Sequence, residues 1–258
     1  MKFEDIMRES CNLAGEIMMD NFGLNKEIKS KGPNNWVTEV DIKIEKKIIN
    51  FIKKHYPTSS FLAEESNENN GVRSDLHWII DPIDGTNNYI HNYPFFCVSI
   101  ALMIDGVIAH GSIYDPNRKE FFYSEKGGGC YLNDKPILVS SNHNLSQTLL
   151  CTGFITSNKK YAQANVENFK NLLYKCRSIR RDGSAALDLA YVACGRLDGF
   201  WELGLNPWDT AAGILLVTEA GGAVTRINGD TYDINKKDIV ASNSLIHGDL
   251  VNILKCDL

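Results

Sequence analysis

The sequence lacks the motifs of several familiar enzyme and metal-site classes. No two of its seven cysteines form a C-x-x-C pair, and no two of its six histidines form an H-x-x-x-H pair. These absences argue against a disulfide framework, a structural zinc site and a zincin. The chain also has no G-x-x-x-x-G-K-[ST], G-x-S-x-G or G-x-G-x-x-G motif. P-loop nucleotide hydrolases, serine hydrolases and dinucleotide-binding enzymes are therefore disfavoured.

Strong charge of either sign and long apolar runs are missing as well. The formal net charge is -5 and the pI is about 5.7, which gives no overall drive toward nucleic acid or an anionic membrane. The apolar run NYPFFCVSIALMI has only 13 residues, fewer than the roughly 18 that suggest a membrane span. The first ten residues place acids and bases where a signal peptide would be apolar. We expect a cytoplasmic protein with reduced cysteines and no membrane segment.

Hydrophobic periodicity predicts an α/β protein in which helices cover sheets. We expect helices over residues 3–20, 38–54, 159–173, 183–195 and 207–222, and a last helix from Leu245 to Leu254. We expect strands within residues 60–66, 77–81, 95–104, 106–115, 119–125, 129–133, 197–204, 222–227 and 238–242. Residues 29–35 are expected to form a loop. Two halves, 1–140 with most candidate metal ligands and 141–258 with a substrate segment and the last ligand, should form one compact unit.

The stretch WIIDPIDGTNN places Asp81 and Asp84 three residues apart at the end of an apolar strand. Pro82 fixes φ and lacks an N–H, while Gly85 permits a backbone conformation closed to other residues. Such a turn can direct both carboxylates and the carbonyl of Ile83 into one small volume. Oxygen ligands of this kind suit Mg²⁺. An Asp-Pro-x-Asp-Gly sequence is also good turn chemistry without any function, so this stretch alone does not decide.

Further acids are needed to complete a metal site, and three other segments contain them. FLAEES has Glu64 and Glu65 after an apolar strand, NPWDTAAG has Asp209 before a small-residue helix, and TEVD has Asp41. Each also has an ordinary explanation. The glutamates fit a solvated loop, Asp209 fits an N-cap, and Asp41 fits a first-turn acid that complements the helix dipole. Their combination with the two aspartates above favours a metal site.

These segments together resemble the inositol monophosphatase family, within the lithium-sensitive, magnesium-dependent phosphatase superfamily. WIIDPIDGTNNYIH is similar to the family's first signature, and PWDTAAGILLVTEAGG is similar to its second. RRDGSAALDLAYVACGRLDGFWELGLNPWD resembles the bacterial branch almost throughout, so the resemblance spans essentially the whole chain. It implies a layered α/β/α/β/α sugar-phosphatase fold and a homodimer. It also implies an Mg²⁺-dependent phosphomonoesterase that uses metal-activated water to hydrolyse myo-inositol monophosphate to inositol and phosphate.

The resemblance implies a role for each matching residue. Two or three Mg²⁺ ions per active site would be bound by Glu64, Asp81, the carbonyl of Ile83, Asp84 and Asp209. The residues implied in catalysis are Glu64, Thr86 and Asp41, with Thr86 held by Asp41 and orienting the attacking water. The implied substrate-binding residues are Asp84, Gly85, Thr86, Gly183, Ser184, Ala185, Glu202 and Asp209. Paired cations suit this chemistry because they neutralise the phosphate and stabilise the leaving oxygen.

Substrate identity is less sharply defined than the chemistry. Relatives within the superfamily also hydrolyse histidinol phosphate, fructose 1,6-bisphosphate and 3′-phosphoadenosine nucleotides, and these stay open as alternatives. Glu202 favours a hydroxyl-rich polyol, because a carboxylate accepts two hydroxyl protons well. Two departures from the family pattern are Ala63, where Gly is frequent, and Asp182, where a small or uncharged residue is common. The extra acid at Asp182 bears on substrate preference.

An RNA- or protein-binding scaffold that has kept the phosphatase fold is an alternative of a different class. Its motivation is the basic cluster of Lys175, Arg177, Arg180 and Arg181. Because the whole chain is acidic, a solvated surface patch or a dimer contact explains this cluster better. We therefore expect a small phosphorylated polyol as the partner, and neither nucleic acid nor a membrane.

Overall fold

The computed structural model describes residues 1–32, 35–66 and 74–255, which form helices and three sheets. The helices are α1 (Phe3–Asn21), α2 (Glu39–His55), α3 (Thr86–Ile90), α4 (Lys159–Leu173), α5 (Ala185–Ala193), α6 (Pro207–Glu219) and α7 (His247–Ile253). All six predicted helices are present, and α5, α6 and α7 are each shorter than predicted. Helix α3 is additional. No helix of the described residues has the length and apolar character to cross a membrane.

A two-stranded sheet includes residues 29–32 and 35, which were predicted to belong to a loop over residues 29–35; residues 33–34 of that prediction lie outside the described residues. Strands β1 (Ile28–Gly32) and β2 (Asn35–Thr38) pair antiparallel, with Ser30 opposite Trp36. The prediction of a loop was wrong because Gly, Pro, Asn and Lys dominate this segment and hide any strand alternation. Pairing between the strands satisfies their backbone groups, so the ladder forms without an apolar pattern. Strand β2 ends at Thr38, which is the N-cap of α2.

The large sheet has seven strands in the order β3-β4-β5-β6-β7-β8-β9. Their bounds are β3 (Ser60–Ala63), β4 (Leu76–Asp84), β5 (Cys97–Ile104), β6 (Val107–Asp115), β7 (Glu120–Glu125), β8 (Gly129–Leu132) and β9 (Lys135–Pro136). Strands β3 and β4 are parallel, and the other neighbours are antiparallel. The predicted strands of this region are confirmed. The parallel pair brings the ends of β3 and β4 to the same edge of the sheet.

The second large sheet has five strands in the order β11-β10-β12-β14-β13. Their bounds are β10 (Leu149–Thr152), β11 (Ser178–Arg180), β12 (Gly199–Leu203), β13 (Ala223–Thr225) and β14 (Asp238–Ser242). Strand β10 runs parallel to both β11 and β12. Neither β10 nor β11 was predicted, because such short segments carry no measurable periodicity.

The helices and sheets stack in five layers, which confirms the predicted α/β/α/β/α fold. Trp78 and Ile80 of β4 face a core shared with α1 and α2, while Ile79 between them faces the core of α5 and α6. This alternation follows from the two faces of a strand. Helices α5 and α6 also pack on the five-stranded sheet, whose other face contacts α4 and α7. The division into halves 1–140 and 141–258 stays a prediction.

Candidate metal and substrate site

Asp81 and Asp84 lie at the end of β4, where the strand departs from regular pairing. Asp81 is opposite Ser99 and Asp84 is opposite Cys97, so the register shifts across Pro82 and Ile83. Proline cannot donate to the ladder, which explains why the irregularity falls there. The backbone N–H of Ile83 donates to Oδ1 of Asp81 at 3.0 Å. The predicted turn therefore exists, and it presents both carboxylates at one strand end.

A third carboxylate joins this pair from the N-terminus of α6. Asp81, Asp84 and Asp209 each offer an oxygen, and these atoms lie within 4.8 Å of one another. Asp209 is fixed by the backbone N–H of Asn206, which donates to its Oδ2 at 2.7 Å, so it is part of an N-terminal capping box. The capping explanation is thus correct, but the same residue also faces the other two acids. We call Asp81, Asp84 and Asp209 the carboxylate cluster.

Burial and mutual repulsion raise the pKa of every member of the carboxylate cluster. Burial is the larger cause, and it raises the pKa of Asp81 and Asp209 well above the ordinary value and that of Asp84 to about 6. The neighbours that act most strongly on Asp81 are all acids: Glu64, Asp84, Asp209 and Asp41. Glu64 follows β3, and its backbone N–H donates to the carbonyl of Ile80 at 3.2 Å. The cluster needs a positive charge to become fully ionised.

The residues present fit a divalent cation. Three converging carboxylates, the nearby Glu64 and a backbone carbonyl at Ile83 form a set of oxygen ligands, which hard cations prefer. The raised pKa values express the same requirement, because like charges at this separation disfavour ionisation unless a cation is added. Of the predicted metal ligands, the structure brings all five to one cavity.

Asp41 and Thr86 form a hydrogen-bonded pair next to the carboxylate cluster. Thr86 Oγ1 lies 3.3 Å from Oδ1 of Asp41 and 3.0 Å from the carbonyl of Ile83. Asp41 is fully buried, and both the backbone N–H and the hydroxyl of Thr38 donate to its Oδ2. Burial raises the pKa of Asp41 to about 6, although the bonds from Thr38 oppose the change. Asp41 is therefore mostly ionised at neutral pH.

Gly85 connects β4 to the short helix α3 through a left-handed backbone conformation. Its φ is 96°, a region that other residues rarely adopt. A Cβ at this position would lie 3.0 Å from the carbonyl oxygen of Phe95 and 3.3 Å from that of Gly183. The predicted phosphate-binding and substrate-binding segments thus meet at Gly85, where only a hydrogen fits comfortably.

The segment Gly183-Ser184-Ala185 is tied directly to the carboxylate cluster. Ser184 Oγ donates to Oδ2 of Asp84 at 2.6 Å, and the backbone N–H of Ala186 donates to the same oxygen at 2.7 Å. Asn88 of α3 donates to the carbonyls of Phe95 and Asp182. These contacts fix the segment at the N-terminus of α5. A change at Asp84 will therefore affect both the carboxylate cluster and the segment that was predicted to bind substrate.

Glu202 lies on β12 and also lines the cavity. It is 5% exposed, and burial raises its pKa to about 8, with Arg181 opposing that change and Asp84 adding to it. A Cβ at Gly153 would overlap the carboxyl group of Glu202. Gly153 thus makes room for this side chain. The sequence around Gly153 gives no sign of this role, because Gly153 and Glu202 meet only in the folded chain.

All these groups line one cavity of about 830 Å³. Every predicted site residue except Asp41 lines it, and Asp41 is reached through Thr86. Further lining residues that the sequence did not single out for this site are Trp36, Gly153, Asp188 and Lys237. Arg181 also lines the cavity, although it was assigned to a surface basic cluster. The part of this cluster nearest the site therefore faces the cavity.

Comparison with known proteins gives a consistent result. The model of the inositol monophosphatase family matches residues 2–256. The chain is 41% identical over 251 residues to an inositol-1-monophosphatase of Synechocystis, covering 97% of this chain and 88% of that protein. It is also 44% identical over 241 residues to the Nus factor SuhB of Escherichia coli, covering 93% and 90% of the two chains.

Solved structures show the same architecture. The extragenic suppressor protein SuhB from Bartonella henselae superposes with a TM-score of 0.94 at 41% identity, covering 99% of each chain. The inositol monophosphatase from Thermotoga maritima gives a TM-score of 0.90 at 34% identity, covering 98% of this chain and 96% of that one.

Proposed function

The chain belongs to the inositol monophosphatase family, and from that premise we propose that it hydrolyses myo-inositol monophosphate to inositol and phosphate. The observation that carries this proposal is that the carboxylate cluster and Glu202 line one polar cavity. The carboxylate cluster can bind cations that contact a phosphate, and Glu202 can hydrogen-bond to ring hydroxyls. A cavity of about 830 Å³ has room for a monophosphorylated sugar or polyol.

The proposed cofactor is Mg²⁺, with two or three ions per site. Glu64, Asp81, the carbonyl of Ile83, Asp84 and Asp209 would hold these ions. Mg²⁺ in such a site offsets the negative charge of a phosphate and lowers the pKa of a nearby water. Lithium sensitivity is proposed on the basis of family membership.

We propose that Thr86 and Asp41 orient the attacking water and receive its proton. Thr86 lines the cavity, and its Oγ1 can accept a hydrogen bond from water while its own proton points to Asp41. Asp41 can act as the final acceptor, because its pKa of about 6 leaves it ionised at neutral pH. The N–H groups of Gly85 and Thr86 are the proposed donors to phosphate oxygens. Glu202 and the segment Gly183–Ala185 would orient the polyol.

The test is a purified-protein assay on a panel of phosphate monoesters. We expect inositol 1-phosphate to have the highest kcat/KM among inositol 1-phosphate, histidinol phosphate, fructose 1,6-bisphosphate and 3′-phosphoadenosine nucleotides. Excess EDTA should abolish turnover and Mg²⁺ should restore it, while Ca²⁺ should restore it poorly because its geometry is looser. Full activity in EDTA would contradict the metal-dependent mechanism. If another member of the panel had a higher kcat/KM, that compound would replace inositol 1-phosphate as the proposed substrate.

Asp84→Asn is the control that separates this protein from a contaminating phosphatase. The amide can still accept the bonds from Ser184 and Ala186, so the fold should persist. Loss of one charge from the carboxylate cluster should lower kcat at least about 100-fold through weaker metal binding. If Asp81 and Asp84 served only the turn, activity would stay near that of the wild type.

We propose a homodimer in the cytoplasm, on the basis of family membership and the sequence composition. An RNA- or protein-binding role is the second candidate, because relatives 44% identical to this chain are named Nus factor SuhB. Salt-dependent RNA binding that persists in the Asp84→Asn variant would support it. Absence of RNA binding at low salt would exclude the RNA-binding role.

A further inference from the structure

A second group of metal-ligating side chains lies beside the cavity, outside the carboxylate cluster. Cys151 on β10, Asp182 before α5 and Asp188 within α5 each offer one ligand atom, and these atoms lie within 4.8 Å of one another. The fold explains the convergence. Strand β10 pairs with β11 so that Cys151 is opposite Arg180, two residues before Asp182. Helix α5 then brings Asp188 back over the same strand.

Asp188 supplies an independent sign that something is bound there. Its side chain is 1% exposed, and its Oδ1 has no hydrogen-bond partner among the described residues. An unsatisfied buried polar atom is destabilising, so native proteins rarely leave one without a reason. Burial raises the pKa of the Asp188 carboxyl; a hydrogen bond with the Cys151 thiol opposes that change, and the acids Asp182, Glu202 and Asp84 add to it. The surroundings thus offer ligands and negative charge, which suits a cation.

We propose that Cys151, Asp182 and Asp188 bind a thiophilic divalent cation of the Zn²⁺ class. One thiolate and two carboxylates give three protein ligands and leave a fourth position open. Zn–S and Zn–O bonds of about 2.3 Å and about 2.1 Å place tetrahedral sulfur and oxygen ligands roughly 3.5 Å apart. The Cys151 Sγ and Asp182 Oδ2 atoms are 3.9 Å apart, so a small side-chain rotation would bring this pair of ligands to that separation.

Ligand type separates this site from the carboxylate cluster. A thiolate favours Zn²⁺, Co²⁺ or Cd²⁺ over Mg²⁺, whereas three carboxylates suit Mg²⁺. Asp188 lines the cavity of about 830 Å³, which gives the cation a path from solvent. On binding, the S–H bond of Cys151 breaks, its proton passes to solvent and a sulfur–metal bond forms without any redox change. The charges of one thiolate, two carboxylates and a divalent cation then sum to about -1.

Co²⁺ is the probe, because only a cysteine ligand gives it a near-ultraviolet sulfur-to-metal charge-transfer band. The full-length protein is titrated with Co²⁺ in a large excess of Mg²⁺, which occupies the carboxylate cluster. We expect the band to rise to about one equivalent of Co²⁺ per chain. Cys151→Ser should abolish it. Cys97→Ser is the matched control and should retain it, since Cys97 is also buried, with its Sγ 3.9 Å from an Asp84 oxygen.

Asp188→Asn provides a second route if Cys151→Ser fails to fold. It keeps the shape of the side chain and removes its charge, and it should weaken Co²⁺ binding by more than about tenfold. Far-ultraviolet circular dichroism establishes which variants are folded. Three results would overturn the site: no band in the wild type, a band that survives in folded Cys151→Ser, or unchanged affinity in Asp188→Asn. None of these readings depends on hydrolysis, so they are independent of the proposed substrate.

Discussion

Glu202 links substrate preference to a protonation state within one side chain. The carboxyl group is buried, and its pKa is raised to about 8 mainly because burial disfavours the charged form. Below that pH the group is a neutral acid, which can donate one hydrogen bond and accept another. Above it the group is a carboxylate, which only accepts. The contribution of Glu202 to binding a polyol should therefore depend on pH.

Glu202→Gln tests this role through a ratio of two substrates. Inositol 1-phosphate has ring hydroxyls, whereas p-nitrophenyl phosphate has none, so only the first should suffer. At about pH 9.5 the variant should lose roughly 1.5–3 kcal/mol per charge-assisted bond, which corresponds to about 10- to 150-fold in the ratio of kcat/KM values. At about pH 6.5 the loss should be smaller, because glutamine resembles the protonated acid.

Two outcomes would contradict the prediction for Glu202. An unchanged ratio at both pH values would make Glu202 a structural acid at the end of β12 and would remove the main reason to prefer a polyol phosphate. An equal loss at both pH values would keep the substrate contact but contradict the raised pKa. Neither the substitution nor the choice of substrate replaces a residue of the carboxylate cluster. The ratio of the two kcat/KM values therefore isolates the contact between Glu202 and the polyol.

At the scale of elements, the turn from β4 into α3 places the backbone N–H groups that we propose bind phosphate. Its geometry depends on Gly85, which combines a φ of 96° with a close approach to the backbone carbonyl of Phe95. Gly106 offers a comparison within the same chain. It has a φ of 80° in the turn between β5 and β6, and a Cβ there would meet nothing within 4 Å. The two glycines share backbone strain and differ in packing.

Alanine at each of these glycines should separate strain from placement of the site. Gly106→Ala should lower the free energy of unfolding by about 1 kcal/mol, the cost of a left-handed alanine, without changing activity. Gly85→Ala should cost roughly 2–3 kcal/mol, because the methyl also pushes on the Phe95 carbonyl. It should lower kcat more than about tenfold. Urea unfolding and steady-state kinetics measure both effects. Equal activity in the two variants would show that the turn does not control the site.

The elements also show where sequence reasoning succeeds and where it stops. Helix α2 was predictable from apolar residues at a helical period, and α6 from Pro207 at its start and the glycines after its end. Strands β4 and β5 were predictable from short, nearly continuous apolar runs. Strands β10 and β11 have four and three residues, and they exist because they pair in parallel with neighbours far away in the chain. Local pattern contains no information about such pairing.

The candidate site follows the same rule. Asp81 and Asp84 were recognisable because proline and glycine define their turn within a few residues. Gly153 was not, because its purpose is to leave space for Glu202 on another strand. Asp188 was also missed, since an acid on a small-residue helix resembles a surface residue until burial is known. Residues defined by partners distant in sequence need either a structure or a family resemblance.

At the scale of the whole molecule, folding assembles a group of acids that repel one another. The carboxylate cluster joins the strand end of the seven-stranded sheet to the helix layer between the two sheets, and Glu202 approaches from the five-stranded sheet. In the unfolded chain these groups are separate and have ordinary pKa values. The folded chain must therefore keep protons on these acids or bind cations beside them; otherwise it loses stability.

The sign of the pH dependence follows from the raised pKa values. Between about pH 4 and pH 6, the folded chain keeps protons on Asp41 and Asp84 that the unfolded chain has lost, since both pKa values are raised to about 6. Asp81 and Asp209, whose pKa values are raised well above the ordinary value, extend this difference in bound protons to higher pH. Because the folded state binds more protons, the stabilisation present at low pH is lost as pH rises through these pKa values.

The metal-free protein should therefore be less stable at about pH 8 than at about pH 5, with a Tm lower by roughly 5 °C or more in EDTA. Mg²⁺ should raise Tm at about pH 8 far more than at about pH 5, where it competes with bound protons. Differential scanning fluorimetry with and without Mg²⁺ measures both effects. Asp209→Asn should raise the metal-free Tm at high pH by removing repulsion, and it should reduce the Mg²⁺ effect. Equal Mg²⁺ stabilisation at both pH values, or a metal-free Tm that rises with pH over this range, would contradict this account of the acids.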